Sequence, residues 1–155
     1  MNATGPDLTP RYRKDGEACD ASLFYAVACD PMRPVVVEAC AGAGKTWLLV
    51  SRIARALLMD TPPHEILAIT FTKKASAEMG QRLHTLLASW CDLPDEELTA
   101  ELIARGIPRH DSQQASLRQK ARGLHAVVLS GRGVQIRTSR KSTRLNSSHH
   151  EVSRM

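Results

Sequence analysis

The sequence predicts an α/β fold built on a parallel sheet, and three observations carry that prediction. Short apolar or β-branched runs alternate with stretches whose apolar residues recur at helical spacing. One junction between such a run and such a stretch reads Gly42-Ala43-Gly44-Lys45-Thr46. Proline or glycine punctuates most of the expected boundaries, at Pro34, Pro62-Pro63, Pro94, Gly106, Pro108 and Gly131. Strand, helix, strand, helix is the order of a parallel sheet covered by helices. A chain of 155 residues has room for one domain with a real core.

The elements follow in order. The first thirty or so residues begin polar, with Pro6, Pro10 and Gly16, and turn apolar at Ser22-Leu23-Phe24-Tyr25-Ala26-Val27-Ala28. This run suits a helix capped around Asp20 and ending before Pro31. Arg33-Pro34 opens Val35-Val36-Val37, which reads as a strand buried on both faces. Leu48, Leu49, Ile53, Ala56 and Leu57 mark a helix from Lys45 to Met59, stopped by Thr61-Pro62-Pro63. Ile66 to Phe71 is a second buried strand. Thr72 is placed to cap the next helix, whose buried face is drawn by Ala75, Met79, Leu83, Leu86, Leu87 and Trp90. Pro94 with Asp95-Glu96-Glu97 suits the acidic first turn of a further helix, with Gly106 and Pro108 beyond its end. Another helical pattern runs from about Asp111 through Leu117, Ala121, Leu124 and Val128 to Gly131, and Val134-Gln135-Ile136-Arg137 starts a third strand.

Composition narrows the function classes. Apolar content of 43% and charged content of 24% are ordinary for a soluble globular protein. No run approaches the roughly 18 apolar residues needed to span a bilayer, and no basic-then-apolar leader opens the chain, so a cytoplasmic protein with no membrane partner is expected. Cys19, Cys29, Cys40 and Cys91 make no CxxC pair, which argues against zinc and thioredoxin-like chemistry. The net charge of +5 invites a nucleic-acid reading, yet fifteen basic and fifteen acidic residues precede Arg132, so the excess belongs to the closing segment. From Ser139 onward that segment is polar, basic and aperiodic. It is expected to be disordered and foreign to the native domain.

The strand-to-helix junction is the chemical centre of the sequence. In Ala39-Cys40-Ala41-Gly42-Ala43-Gly44-Lys45-Thr46, successive backbone N–H groups can turn into one concavity and bind phosphate oxygens. Gly42 and Gly44 permit backbone conformations a Cβ would block. Lys45 offers a point charge to the β- and γ-phosphates, the Thr46 hydroxyl can ligate Mg²⁺, and the helix adds its positive N-terminal end. Lys45 and Thr46 are thus the candidate catalytic residues, Thr46 the candidate metal ligand, and the whole octet the nucleotide-binding set. The pattern departs from its usual form at the first glycine, which here is Ala39.

A phosphate loop names no substrate. The discriminating stretch runs from Glu65-Ile66-Leu67-Ala68-Ile69-Thr70-Phe71-Thr72-Lys73-Lys74 through Ala75-Ser76-Ala77-Glu78-Met79 to Leu83. It resembles motif Ia of the UvrD/Rep helicases, a family that also tolerates alanine at the first loop position. Glu38 to Trp47 looks most like the RecB/AddA branch. The resemblance covers roughly Pro34 to Thr138. It implies a RecA-like, ATP- and Mg²⁺-dependent motor domain moving 3′–5′ on single-stranded DNA, with a further partner, a nuclease subunit, in that branch. It also implies that Phe71, Thr72, Lys73 and Lys74 lie along the DNA strand, the ring stacking on a base and the polar groups meeting phosphates.

The same resemblance exposes departures. No glutamine precedes Gln81, where the family places an adenine-reading glutamine, and no hydrophobic strand ends in Asp-Glu. The family pattern breaks between Thr138 and Ser139, and the second motor domain with its arginine finger is absent. The expectation is therefore an incomplete RecA-like domain, inactive in hydrolysis by itself. It comprises an extension over 1–33, the ATP-binding part over 34–138 with a helical insertion at about 93–130, and the tail over 139–155. A self-contained small P-loop kinase or NTPase is the alternative, although it leaves motif Ia unexplained.

Overall fold

The computed structural model describes residues 12–40, 42 and 44–139. Ala41 and Ala43 of the loop, and the expected tail apart from Ser139, lie outside the described residues. The chain opens with strands β1 (Tyr12–Lys14) and β2 (Glu17–Cys19), paired antiparallel in the register Tyr12↔Cys19. Asp15 and Gly16 form the turn at φ 52° and 85°, the backbone that a two-residue hairpin requires and an Asp-Gly pair supplies. Mostly polar alternation hides these strands from an apolar-pattern reading, so the Asp15-Gly16 pair is the signal that marks them. Tyr12 packs against Phe24, tilted, and against Tyr25, edge-on, at ring separations of 4.9 and 5.7 Å, and ties the hairpin to helix α1 (Ala21–Ala28). Asp20 caps α1 as expected, its carboxylate accepting from the Leu23 N–H at 2.7 Å.

Helix α2 spans Lys45–Leu58. Its buried stripe includes Leu48, Val50, Ile53, Ala54 and Leu57, whereas Leu49, an expected core position, is 44% exposed. After a short 3₁₀ turn at Pro63–Glu65 come strand β3 (Leu67–Thr70) and helices α3 (Lys73–Asp92), α4 (Asp95–Ala104) and α5 (Asp111–Ser130). Strand β4 (Gln135–Thr138) then pairs parallel to β3, from Leu67↔Gln135 to Thr70↔Thr138. A parallel neighbour demands a crossover connection, and the three helices form it. Met79, Leu83, Leu87 and Trp90 of α3 sink into one apolar cluster with Ile53 and Leu57 of α2, Leu98 and Leu102 of α4, and Leu124 and Val128 of α5. Along β3 the pleat sends Ala68 toward this cluster while Leu67 and Ile69 face outward at 55% and 63% exposure.

One expected element does not form. Val35–Val37 is not a strand, and Val36 is 92% exposed. Val37 packs against a small second cluster of Ala28, Cys29 and Leu48, but among the described residues no strand lies alongside to exchange hydrogen bonds. β-branched residues favour strands because they fit a pleated, paired surface; without a neighbour the preference has nothing to act on. Helices α4 and α5 fill the stretch expected to be helical. They are joined by Asp95, whose carboxylate meets Arg122 at 2.7 Å and Arg118 at 3.3 Å, while Arg122 also donates to the Leu93 carbonyl at 2.9 Å. No helix among the described residues is long and apolar enough to cross a membrane.

This packing makes two effects measurable. Leu87, fully buried at 0% exposure, should cost ~2–5 kcal/mol of unfolding free energy in urea on replacement by alanine. The hydrogen bond from Arg122 holds the Asp95 carboxyl below its ordinary value, with Arg118 adding to it. A depressed folded pKa contributes stability that is full above the unfolded carboxylate value and is lost as pH falls through the folded one. Thermal melts of Asp95→Asn should therefore show a lower Tm than wild type near neutrality, with the two melting temperatures converging as the pH drops below the carboxylate range.

Candidate functional site

The glycine-rich loop enters α2 through Gly44, which serves as the helix N-cap at φ 82°. Gly42 is likewise left-handed at φ 77°. A Cβ at either would meet nothing within 4 Å, so glycine is required by backbone conformation and not by crowding. No side chain caps α2 and no acidic residue stands in its first turn. Its leading N–H groups and positive end thus remain available to an anion. Lys45 is exposed and Thr46 half-buried at this end, and the Leu48 N–H closes the first turn on the Gly44 carbonyl at 3.0 Å. These features fit a phosphate chain. Thr46 is the one described residue that the sequence assigns to Mg²⁺. Among the described residues no group of three or more His, Cys, Asp or Glu side chains could hold a metal.

Helix α1 is tied to α2. Arg55 donates to the Ala26 carbonyl at 2.9 Å, and Arg52 donates to the carbonyls of Ala28, at 3.1 Å, and of Arg33. The open carbonyls of Ala26 and Ala28 at the end of α1 are thereby satisfied by cations on α2. Burial pulls the Arg55 guanidinium below its ordinary value, with Asp30 opposing. A groove of about 1000 Å³ lies beside Trp47 between α2, α3 and α4, but Glu78, Glu97 and Glu101 line it. Its two arginines, Arg82 and Arg105, are already paired to Glu78 and Glu101. That charge balance is wrong for phosphate.

The second group of candidate residues sits where β3 passes into α3. Thr70 is buried, and its hydroxyl meets the Ser76 hydroxyl and the Thr72 carbonyl. Thr72 caps α3, its Oγ1 accepting from the Ala75 N–H at 3.0 Å. Phe71 projects outward at 84% exposure, and Lys73 and Lys74 are exposed in the first turn of α3. The Phe71 ring is thus held in the open between a buried threonine and a capping threonine, and is not a strand end in the core. Among the described residues no hydrogen bond joins the loop group to this edge. Sequence reasoning overlooked Arg105, which stacks on Trp47 one residue past Thr46. Only its neighbour Gly106 hints at a close approach there.

Parts of the chain are similar to known proteins. The family model described as the UvrD/REP helicase N-terminal domain matches residues 21–141, so helix α1 falls inside the matched region. Similar proteins include DNA helicase II of Rickettsia typhi, 49% identical over 55 residues, which is 35% of this chain and 8% of that protein. An ATP-dependent helicase/nuclease subunit of Lactobacillus gasseri is 38% identical over 76 residues, 48% of this chain and 6% of that protein. The ATP-dependent DNA helicase PcrA of Staphylococcus aureus is 43% identical over 61 residues, 39% of this chain and 8% of that protein. The matched stretches thus cover 8% or less of these relatives. No solved structure matches the chain.

Proposed function

Because the chain belongs to the UvrD/REP helicase N-terminal domain family, we propose that it is the ATP-binding part of an ATP-dependent 3′–5′ DNA helicase of recombination and repair. The domain is RecA-like in this reading, running over 34–138 with α4 and α5 as its insertion. The observation that carries the proposal is the pairing of two features in one matched chain: a glycine loop feeding an uncapped helix, and an exposed aromatic at the end of β3. The small-kinase alternative accounts for the first and not for the second.

In this reading the N–H groups at the start of α2 cradle the phosphates of ATP, and Lys45 places its ammonium against the β- and γ-phosphates. The Thr46 hydroxyl would hold Mg²⁺, which when bound supplies charge neutralisation at those oxygens. Phe71 stacks on a base of single-stranded DNA while Thr72, Lys73 and Lys74 meet its backbone. Coupling to a nuclease partner belongs to the same proposal, prompted by the Lactobacillus gasseri relative, whose name joins helicase and nuclease.

Titration of a labelled ATP analogue with Mg²⁺ tests the first half. Losing a charge-assisted contact of about 1.5–3 kcal/mol should weaken binding roughly 10- to 100-fold in Lys45→Ala, and equal affinities would end the assignment. For the second half, Phe71→Ala should lower affinity for single-stranded DNA by about 1–3 kcal/mol, with binding weak and salt-sensitive throughout. Its unfolding midpoint should match wild type, because the ring buries little. Unchanged DNA affinity in a folded variant would remove Phe71 from the interface.

A further inference from the structure

Arg105 is the one charged side chain that is buried among the described residues, at 5% exposure. It follows α4 directly, and its guanidinium reaches the start of α2. The guanidinium carbon sits 4.7 Å from the centroid of the Trp47 ring and 5.9 Å from that of Trp90. One terminal nitrogen donates to Glu101 Oε2 at 3.0 Å and the other to Ser51 Oγ. Ser51 in turn donates its single proton to the Trp47 carbonyl at 2.7 Å. Arg105 therefore grips Trp47 twice, by the ring directly and by the backbone through Ser51.

The surroundings reinforce this grip. Gly106 is at φ +81°, and a Cβ there would lie 2.4 Å from the Tyr25 carbonyl oxygen, so the chain after α4 presses against α1 as only glycine allows. The Tyr25 ring meets the Trp47 ring edge-on at 5.0 Å. Trp47 is thus held from α1 and from the end of α4, and it immediately follows Thr46. Burial lowers the Arg105 guanidinium from its ordinary value, with Glu101 opposing. Stability alone explains such a group poorly, since an apolar side chain of similar volume often serves a buried site as well as an ion pair does.

We propose that Arg105 is a positioning residue for the phosphate loop, fixing the first turn of α2, and with it Lys45 and Thr46, through the ring and carbonyl of Trp47. The consequence for nucleotide affinity rests on the ATP-binding reading above; the local order of α2 does not.

The test compares Arg105→Met, Arg105→Lys, Ser51→Ala and Lys45→Ala in the full chain, below the melting temperature of each. Two quantities are read: amide exchange at Leu48–Ser51, and affinity for a labelled ATP analogue with Mg²⁺. Arg105→Met should speed exchange at those amides by about tenfold or more while α5 keeps its protection. It should also weaken the analogue about tenfold, the loss expected for a desolvated cation–π contact. Arg105→Lys should recover part of both effects, because an ammonium can still sit over the ring. Should Arg105→Met fail to fold, Ser51→Ala cuts the link to the Trp47 carbonyl and is read in the same way. Wild-type exchange at Leu48–Ser51 would overturn the proposal. So would acceleration spread equally through α5 with no rescue by lysine, which marks general destabilisation. If Lys45→Ala leaves analogue binding untouched, the ATP-binding reading falls, and the exchange data still decide the role of Arg105.

Discussion

The packing of α3 sets the frame for everything else in the structure. Met79, Leu83, Leu87 and Trp90 form a single stripe, all of it sunk against α2, α4 and α5. Once those side chains are seated, the helix can neither rotate nor slide without exposing them, so its N-terminal turn is fixed as well. That turn carries Thr72, Lys73 and Lys74, and the Thr70–Ser76 contact ties it to the end of β3. Phe71 can consequently remain exposed and still be well placed. Its order comes from its neighbours and not from its own burial.

The start of α2 is held by a different kind of interaction. Few apolar residues touch it; the local cluster is small, built on Ala28, Cys29 and Leu48. Cations perform the anchoring instead, with Arg52 and Arg55 reaching across to the carbonyls of α1 and Arg105 reaching in from α4. Hydrogen bonds to charged groups contribute more than neutral ones, about 1.5–3 kcal/mol each. They also fix direction, which apolar packing does poorly. The same three arginines act on Cys29, yet burial outweighs them and pushes its thiol up from its ordinary value.

The two faces of the small sheet differ sharply. One is closed by α3 through Ala68 and Ile136. The other shows Leu67 and Ile69 to solvent, in line with the exposure of Val36. The matched stretches account for 8% or less of the relatives' length, and among the described residues the open face leaves two large apolar side chains of β3 in solvent.

Much of this was legible in the residues themselves. Helical periodicity located α2, α3 and α5 to within a residue or two, an apolar run behind Asp20 marked α1, and the Asp20 and Thr72 caps were legible as well, because capping and amphipathicity are local properties written at fixed spacing. The fifth, α4, was marked by Pro94 and its acidic first turn. The glycines of the loop declared their left-handed backbone for the same reason. Motif Ia is likewise a contiguous pattern and needs no fold to be read. What the sequence could not determine depends on partners distant along the chain. Val35–Val37 has the composition of a strand and is not one, since a strand exists only where another lies beside it. Leu49 has the right spacing for the core and faces water, because the tilt of α2 is set by what packs on it. Arg105 looks like an ordinary surface arginine until the end of α4 meets α1 and α2 and encloses it between two tryptophans. Burial, pairing and strand partnership are properties of the assembled chain, and only the tertiary structure could decide them.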